Sequence, residues 1–487
     1  MKFSKKTLLL LIIPLLAVSC FEDNDDNAVS ANEINDFVWK GMNAVYLYKD
    51  NIANLADDRF SSNEEYADYL NSFSTPEQLF ESLIYQRQTV DRFSWIVDDY
   101  IALEQQFSGT SKRSGFEMNL YPVPGSATDL FGVVRLVLPN SNADNQGLIR
   151  GDVITEVDGT TITNSNFSQL FGQDSYTVSF ADYDDNGTPT NLNDDIITSN
   201  GQTIVMTRET YTENPVFRTE IIDVGAKKVG YLMYNGFTAD FDSQLNTAFA
   251  TFSGSNIDHL VIDLRYNPGG SVRSASYLGS MVTGQFNSQV FAKLVYNSDL
   301  SSNNFDVDFD NQLEDGTAIN SLNLDKVYII ATGASASASE MMINSLKAYI
   351  DVVHIGDNTE GKSQASITIY DSQNLQREGA NPNHTYAMQP LVAITLNKSS
   401  EEVPSNGMMP TPSFDLRENP GNMGVLGDVN EPLLALALAD IQANGRISFP
   451  KIEVPEIVGQ NFMVGPTEDI MYLEPYMIET FKKNIEQ

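Results

Sequence analysis

Residues 327–342 read Val-Tyr-Ile-Ile-Ala-Thr-Gly-Ala-Ser-Ala-Ser-Ala-Ser-Glu-Met-Met, an apolar strand that passes through small residues into a helix start. A serine at such a junction presents its Oγ beside unbonded backbone N–H groups and the positive end of the helix dipole, which together stabilise an oxyanion. That chemistry suits acyl transfer. Ser335, Ser337 and Ser339 all stand there, and serine is also a favoured N-cap, so a capped turn explains the same string. Other chemistries find less support. The three histidines, His259, His354 and His384, sit in no recognisable Ser-His-Asp motif, and His354, inside an apolar strand, reads as a core residue. Residues 182–187 superficially match a calcium loop, but Asn193 stands where an EF-hand needs a bidentate glutamate. Their Asn-Gly punctuation favours an acidic β-turn. There is no His and Cys cluster of metal-ligand spacing, and no metal or cofactor is expected.

The elements that must position this chemistry fall into blocks. Within 213–445, apolar strands at 229–234, 259–264 and 327–332 alternate with helical patterns at 241–252, 272–282 and 340–350. Further strands follow at 352–355 and 392–396. This alternation predicts an α/β layer arrangement, with ligands at the carboxyl ends of the strands. Residues 106–212 read instead as short strands and turns, with one short helix before a strand and hairpin closed by Asp158-Gly159. Near the N-terminus, Ile34, Phe37, Val38, Met42 and Val45 recur at helical spacing and predict a helix over 32–56. A second is expected over 75–86, and the aromatic cluster at 91–95 reads as core. Residues 446–487 are rich in Pro, Glu and Ile and suggest no function.

The Ser-Ala-Ser-Ala-Ser-Glu string is followed, 25 residues after its middle serine, by Gly361-Lys362. It resembles the signature of the tail-specific or C-terminal-processing peptidases, family S41, which use a Ser-Lys dyad. Asp263-Leu264-Arg265-Tyr266-Asn267-Pro268-Gly269-Gly270 resembles that family's other signature, at a strand end. Two motifs in the right order, over about residues 106–445, imply a multidomain α+β protein. Its parts would be an N-terminal helical domain (32–105), a PDZ-like β domain (106–212), an α/β peptidase domain of the ClpP/crotonase type (213–445) and a C-terminal extension (446–487).

By this resemblance Ser337 is the nucleophile, Lys362 the general base, and the backbone N–H of Ala338 one oxyanion donor, with Gly269 or Gly270 supplying the other. A free lysine, of pKa ~10.4, is protonated at neutral pH, so the role requires burial that lowers this value. Asp357 and Glu360 would oppose it if they turned inward. Family members commonly carry glutamine four positions after the base, where this chain has Ser366, and Gln364 is the candidate third member. Ser114-Gly115-Phe116-Glu117-Met118 resembles a PDZ carboxylate-binding loop, with Ser114, Gly115, Phe116 and Met118 as candidate peptide contacts. A plain hairpin explains that string as well. The implied activity is a serine endopeptidase acting on unfolded or tail-exposed polypeptides through a free C-terminus. The contrasting expectation is a catalytically silent peptide-binding lipoprotein, which would be expected to have lost the Ser-Lys pair.

Composition bounds the partners. With 29 basic and 65 acidic side chains the net charge is −36, which repels nucleic acid and anionic membrane surfaces. Lys2, Lys5 and Lys6 precede an apolar run over 8–18, and Ser19-Cys20 follows. This is a signal peptide (1–19) too short to span a bilayer. Residues 16–20, Leu-Ala-Val-Ser-Cys, resemble a bacterial lipobox, so the chain's one cysteine, Cys20, is expected to carry lipid after cleavage. Glu22, Asp23, Asp25 and Asp26 make 20–31 an acidic tether, similar to surface-export signals of Bacteroidetes lipoproteins and equally well a solvated spacer. The expected location is a bacterial membrane, the outer one by these signals. No oligomeric state is implied.

Overall fold

The computed structural model describes residues 32–188, 191–443, 454–460 and 470–473; Cys20, the signal peptide and the tether lie outside the described residues. Its centre is a five-stranded sheet in the order Val216–Val224, Lys227–Tyr234, His259–Asp263, Lys326–Ala331, Asp351–Gly356. The first strand pairs antiparallel with the second, and the other four run parallel. Parallel strands are covered on both faces, which is why they read as unbroken apolar runs. One face packs Leu232, Ile262 and Ile329 against the helices Asp242–Ser255, Val272–Thr283 and Ala338–Lys347 through Phe249, Leu278 and Met342. The other packs Tyr231, Val261 and Ile330 against the helix Pro432–Ala443 through Leu433, Leu434 and Ala437.

The expected strand at 392–396 forms, as Leu391–Leu396, but in a different sheet. That six-stranded sheet runs Gly270–Ser271, Met471–Tyr472, Gln364–Ser366, Leu391–Leu396, Val290–Tyr296, Phe305–Asp308. A third, antiparallel sheet carries Phe116–Pro122, Leu130–Val137, Val153–Val157, Ser175–Asp184 and Ile196–Thr207 around its own core of Met118, Leu120, Val134, Ile154, Val178 and Met206. The short helix expected there is Asn142–Asn145, and the Asp158-Gly159 turn has positive φ at both residues, 50° and 71°.

At the N-terminus the helix Glu33–Val45 is shorter than its apolar spacing predicts. Tyr46 turns extended and its hydroxyl donates to Asp91 at 2.6 Å, while the Leu47 N–H donates to the Leu391 carbonyl at 2.8 Å. Partners elsewhere in the chain thus stop the helix, and two 3₁₀ turns, Lys49–Asn51 and Ala53–Leu55, replace its last part. The second expected helix is confined to Pro76–Ser82, capped by Thr75; past it the Leu83 and Ile84 N–H groups donate to the carbonyls three residues back, of Phe80 and Glu81, and Gln86 then adopts φ 46°. Two further helices, Asn63–Asn71 behind Ser62 and Tyr100–Phe107 behind Asp99, were not expected. Phe37, Met42 and Phe80 of this region share a single apolar core with the central sheet's helices. Among the described residues, no helix is long and apolar enough to cross a membrane.

Candidate active site

The strand Lys326–Ala331 ends in a turn that delivers Ser337 to the start of the helix Ala338–Lys347. Ser337 has φ 60° and ψ −114°, a conformation that costs an L-residue on the order of 1–3 kcal/mol and persists only where its surroundings impose it. Those surroundings are visible. The Ser335 hydroxyl donates to the Leu264 carbonyl at 2.7 Å and accepts from the Thr332 N–H at 2.9 Å. Ser339 Oγ donates to the Asn267 carbonyl at 3.0 Å, and the Ala336 N–H reaches the same carbonyl at 3.2 Å. The two flanking serines therefore tie the turn to the loop that follows Asp263.

That loop brings both glycines to the serine. Asn267, itself held by a bond from its side-chain amide to the Tyr234 carbonyl (2.9 Å), accepts the Gly269 N–H on Oδ1 at 2.9 Å. Gly269 and Gly270 have φ 114° and 132°. A Cβ on Gly269 would stand 2.7 Å from Ser337 Cβ and 3.1 Å from the Ala338 nitrogen, so only glycine fits against the serine. The Gly270 N–H points elsewhere, to the carbonyl of Ile470 at 2.6 Å. Gly269 thus provides room, and Gly270 provides an N–H aimed at a carbonyl.

Lys362 reaches the same place through Glu340. One carboxylate oxygen of Glu340 accepts from the N–H groups of Ser337 (2.9 Å) and Lys362 (2.8 Å). The other accepts from the Gly361 N–H (2.8 Å) and the Thr359 hydroxyl. Burial raises the Glu340 pKa, against the lowering effect of these four donors. Lys362 is 1% exposed, with Nζ 4.7 Å from the centre of the half-buried Phe93 ring. Asp357 and Glu360 do not remain as unpaired carboxylates beside it: Arg417 pairs with Asp357 at 2.9 Å and Arg92 with Glu360 at 2.5 Å. A buried serine on a strained turn, a buried lysine on a shared carboxylate and a glycine loop between them form an acyl-transfer constellation.

Comparison with known proteins decides the family. The profile of peptidase family S41 matches residues 228–377, and that of the S41 N-terminal domain matches residues 33–95. By these two matches the chain carries an S41 peptidase domain behind an S41 N-terminal domain. It is 25% identical over 270 residues to a carboxyl-terminal-processing protease of Picosynechococcus sp., covering 54% of this chain and 58% of that one. It is 24% identical over 255 residues to the chloroplastic carboxyl-terminal-processing peptidase 2 of Arabidopsis thaliana, covering 50% and 44%. The chain thus spans about half the length of the curated relatives it matches. The crystal structure of a candidate S41 protease from Bacteroides fragilis superposes with TM-score 0.65 at 27% identity, over 84% of this chain and 97% of the other. A photosystem II D1 C-terminal processing protease shares the fold at TM-score 0.50 and 18% identity, over 85% and 99%.

The remaining candidate residues are placed as follows. Gln364 has its side-chain oxygen buried without a hydrogen-bond partner, while Ser366 donates to the Met471 carbonyl at 3.0 Å and accepts from Gln389 at 3.1 Å. Phe116 and Met118 point into their sheet's own core, and Ser114 Oγ lies 3.1 Å from the Tyr176 hydroxyl. Gly115 has φ 88° with Ser141 packed where a Cβ would stand. None of the histidines faces the serine as a base would. His259 starts its strand, at the opposite end from the site. Both ring nitrogens of His354 face backbone carbonyls, those of Met409 and Ala331, and burial lowers its pKa to about 4. His384 accepts from the Tyr386 N–H on one nitrogen and meets Asp371 at 3.0 Å with the other. Sequence reasoning missed Glu340, whose signal was the capping spacing Ser337-x-x-Glu340. It also placed Phe93 in the core, whereas Phe93 lies against Lys362.

Proposed function

We propose that this chain is an exported serine endopeptidase of the carboxyl-terminal-processing type, with Ser337 as nucleophile and Lys362 as general base. The observation that carries the reading is the Glu340 clamp, which holds the backbone N–H groups of Ser337, Gly361 and Lys362 on one carboxylate while Gly269 lies against Ser337. In the reaction, neutral Lys362 takes the Ser337 hydroxyl proton as Oγ bonds to the substrate carbonyl carbon. The carbonyl electrons move onto oxygen, which the Ala338 and Gly270 N–H groups receive. Lys362 then gives its proton to the departing amine as the C–N bond breaks, and water attacks the acyl-enzyme by the same route. Gln364 is the residue two positions on that can orient the base. The antiparallel sheet built on Phe116–Pro122 acts in this reading as a PDZ-like module that receives the substrate's free C-terminus, and lipidated Cys20 anchors the mature chain to the outer membrane.

The test is peptide turnover by the intact chain and two variants. Ser337→Ala and Lys362→Arg should each lose on the order of 10³-fold or more in kcat while keeping the native melting profile, because guanidinium does not deprotonate in proteins. Near-native turnover by Lys362→Arg would rule out the dyad. In the same cells, Cys20→Ser should move the protein from the membrane to the soluble fraction, and an unchanged membrane fraction overturns the anchor.

A further inference from the structure

Among the described residues, the C-terminal extension, silent in the sequence, enters this architecture at two places. Gly459–Gln460 pairs antiparallel with Leu120 and Asn119, and the Val458 N–H donates to the Leu120 carbonyl at 2.9 Å. The chain thereby adds an outer strand to the sheet built on Phe116–Pro122. Further on, Met471–Tyr472 lies between Gly270–Ser271 and Gln364–Ser366, parallel to both. Its main-chain groups are anchored by the Gly270 N–H on the Ile470 carbonyl (2.6 Å), Ser366 Oγ on the Met471 carbonyl (3.0 Å) and the Leu473 N–H on the Ser366 carbonyl (3.1 Å).

The position matters as much as the pairing. The Ile470 carbonyl oxygen lies 2.3 Å from the point a Gly269 Cβ would occupy, and Ser337 Cβ lies 2.7 Å from that same point. A peptide carbonyl therefore sits beside the serine, bonded to the glycine N–H that the acyl-transfer reading assigns to the oxyanion. Ile470, Met471, Tyr472 and Leu473 are all buried, and Ser337 itself is 0% exposed with this segment in place. An apolar cavity of about 470 Å³, bordered by Phe107, Ile367, Ile369, Tyr472 and Leu473, continues beyond the segment. Main-chain bonds in register with apolar side-chain sites are how an extended peptide is recognised by strand addition.

We propose that the slot between Gly270–Ser271 and Gln364–Ser366 is the binding site for an extended, apolar stretch of substrate polypeptide, and that residues 470–473 fill it as an internal competitor. This rests on the peptidase reading of Ser337 and adds to it a substrate class and a closed resting state. A substrate must displace the segment, so its apparent affinity is reduced by the fraction of molecules in which the slot is open.

The experiment places charge on the segment in the full chain. Met471→Asp with Leu473→Asp should expel it, because a carboxylate is not buried unpaired in an apolar slot. Two quantities are read: kcat/KM on an unstructured apolar peptide, and, with Ser337→Ala added, binding of that peptide by fluorescence anisotropy. Both should rise roughly tenfold or more over the corresponding chain with the native segment. A synthetic peptide of residues 468–475 should then compete in the opened variant. Unchanged binding and turnover in a cooperatively melting variant overturns the proposal and makes the segment a permanent strand of the sheet. Raised binding with no hydrolysis by any chain leaves the slot standing and removes the peptidase reading instead. Should the double variant lose its cooperative melt, Leu473→Asp alone, at the border of the cavity, carries the same comparison.

Discussion

Glu340 and Glu418 are both buried carboxylates that gather donors from distant parts of the chain, and their donors are of different kinds. Glu340 is met by three backbone N–H groups and a hydroxyl, all neutral, and burial raises its pKa. Glu418 is met by Arg150 at 2.5 Å, Arg265 at 3.1 Å and the Tyr266 hydroxyl at 2.6 Å. Burial pushes its pKa up too, but the two guanidiniums outweigh this and hold it at about 2. Backbone donors cannot swing away, so Glu340 sets where Ser337 opens its helix and where Lys362 arrives. Guanidiniums sit on flexible stems and carry charge, so Glu418 sets which surfaces meet: Arg150 comes from the antiparallel sheet, Arg265 and Tyr266 from the loop after the central strand. One region fixes the geometry of a site, and the other docks one sheet on another. The arginine of the Asp-Leu-Arg signature belongs to the second, since Arg265, 0% exposed, is bound by Asp263 at 2.7 Å and Glu431 at 2.6 Å as well.

The contrast can be broken at either carboxylate. Arg265→Ala gives the larger effect, because it leaves Asp263, Glu418 and Glu431 facing one another without their shared cation. Removing one partner from a buried ionic cluster costs about 3–5 kcal/mol, to be read as a lowered denaturant midpoint. A loss under ~1 kcal/mol would mean that the cluster does not hold the sheets together. Glu340→Gln should act on the other quantity. It keeps the shape but turns an amide NH₂ toward backbone N–H groups, and a displacement of about 1 Å at the reacting atoms costs on the order of 10²-fold in kcat. In the native chain the clamp needs the carboxylate form, so the fall of kcat on acidification, begun by protonation of Lys362, should steepen through a value above the ordinary glutamate range of ~4.3, and this added slope should vanish in Glu340→Gln while the Lys362 limb remains. If Glu340→Gln lowers stability as much as Arg265→Ala while sparing kcat, the two carboxylates do the same work and the distinction fails.

What the sequence made legible follows from the same division. The central strands were readable because strands covered on both faces leave unbroken apolar runs, and the junction at Ser337 because small residues separate strand from helix. The length of the first helix was not, since Tyr46 and Leu47 are turned aside by Asp91 and Leu391, which no local spacing reveals. Glu340 was visible as a capping residue, but its bonds to Gly361 and Lys362 join positions 21 and 22 residues apart. Both glycines of Gly269-Gly270 have positive φ, so composition alone could not say which offers space and which an N–H. Residues 470–473 look like an unremarkable apolar stretch until their pairing with Gly270 and Ser366 is seen.

The smallest effect should come from the serines beside Ser337, and it separates positioning from chemistry within a single turn. Ser335 makes two hydrogen bonds, to the Leu264 carbonyl and from the Thr332 N–H, while for Ser339 one is seen, to the Asn267 carbonyl. Each buried hydrogen bond is worth about 1 kcal/mol net, so Ser335→Ala should lower stability by roughly 2 kcal/mol and Ser339→Ala by roughly 1. Turnover should stay within about tenfold of native in both, since each tie acts only through the placement of the strained Ser337 backbone, and the Asn267 and Glu340 contacts remain to hold it. The readouts are chemical denaturation and peptide hydrolysis on the same preparations. A loss of turnover in Ser339→Ala as complete as that expected of Ser337→Ala, with stability little changed, would move the nucleophile two residues along the helix and leave the Ser337 strain without a catalytic purpose.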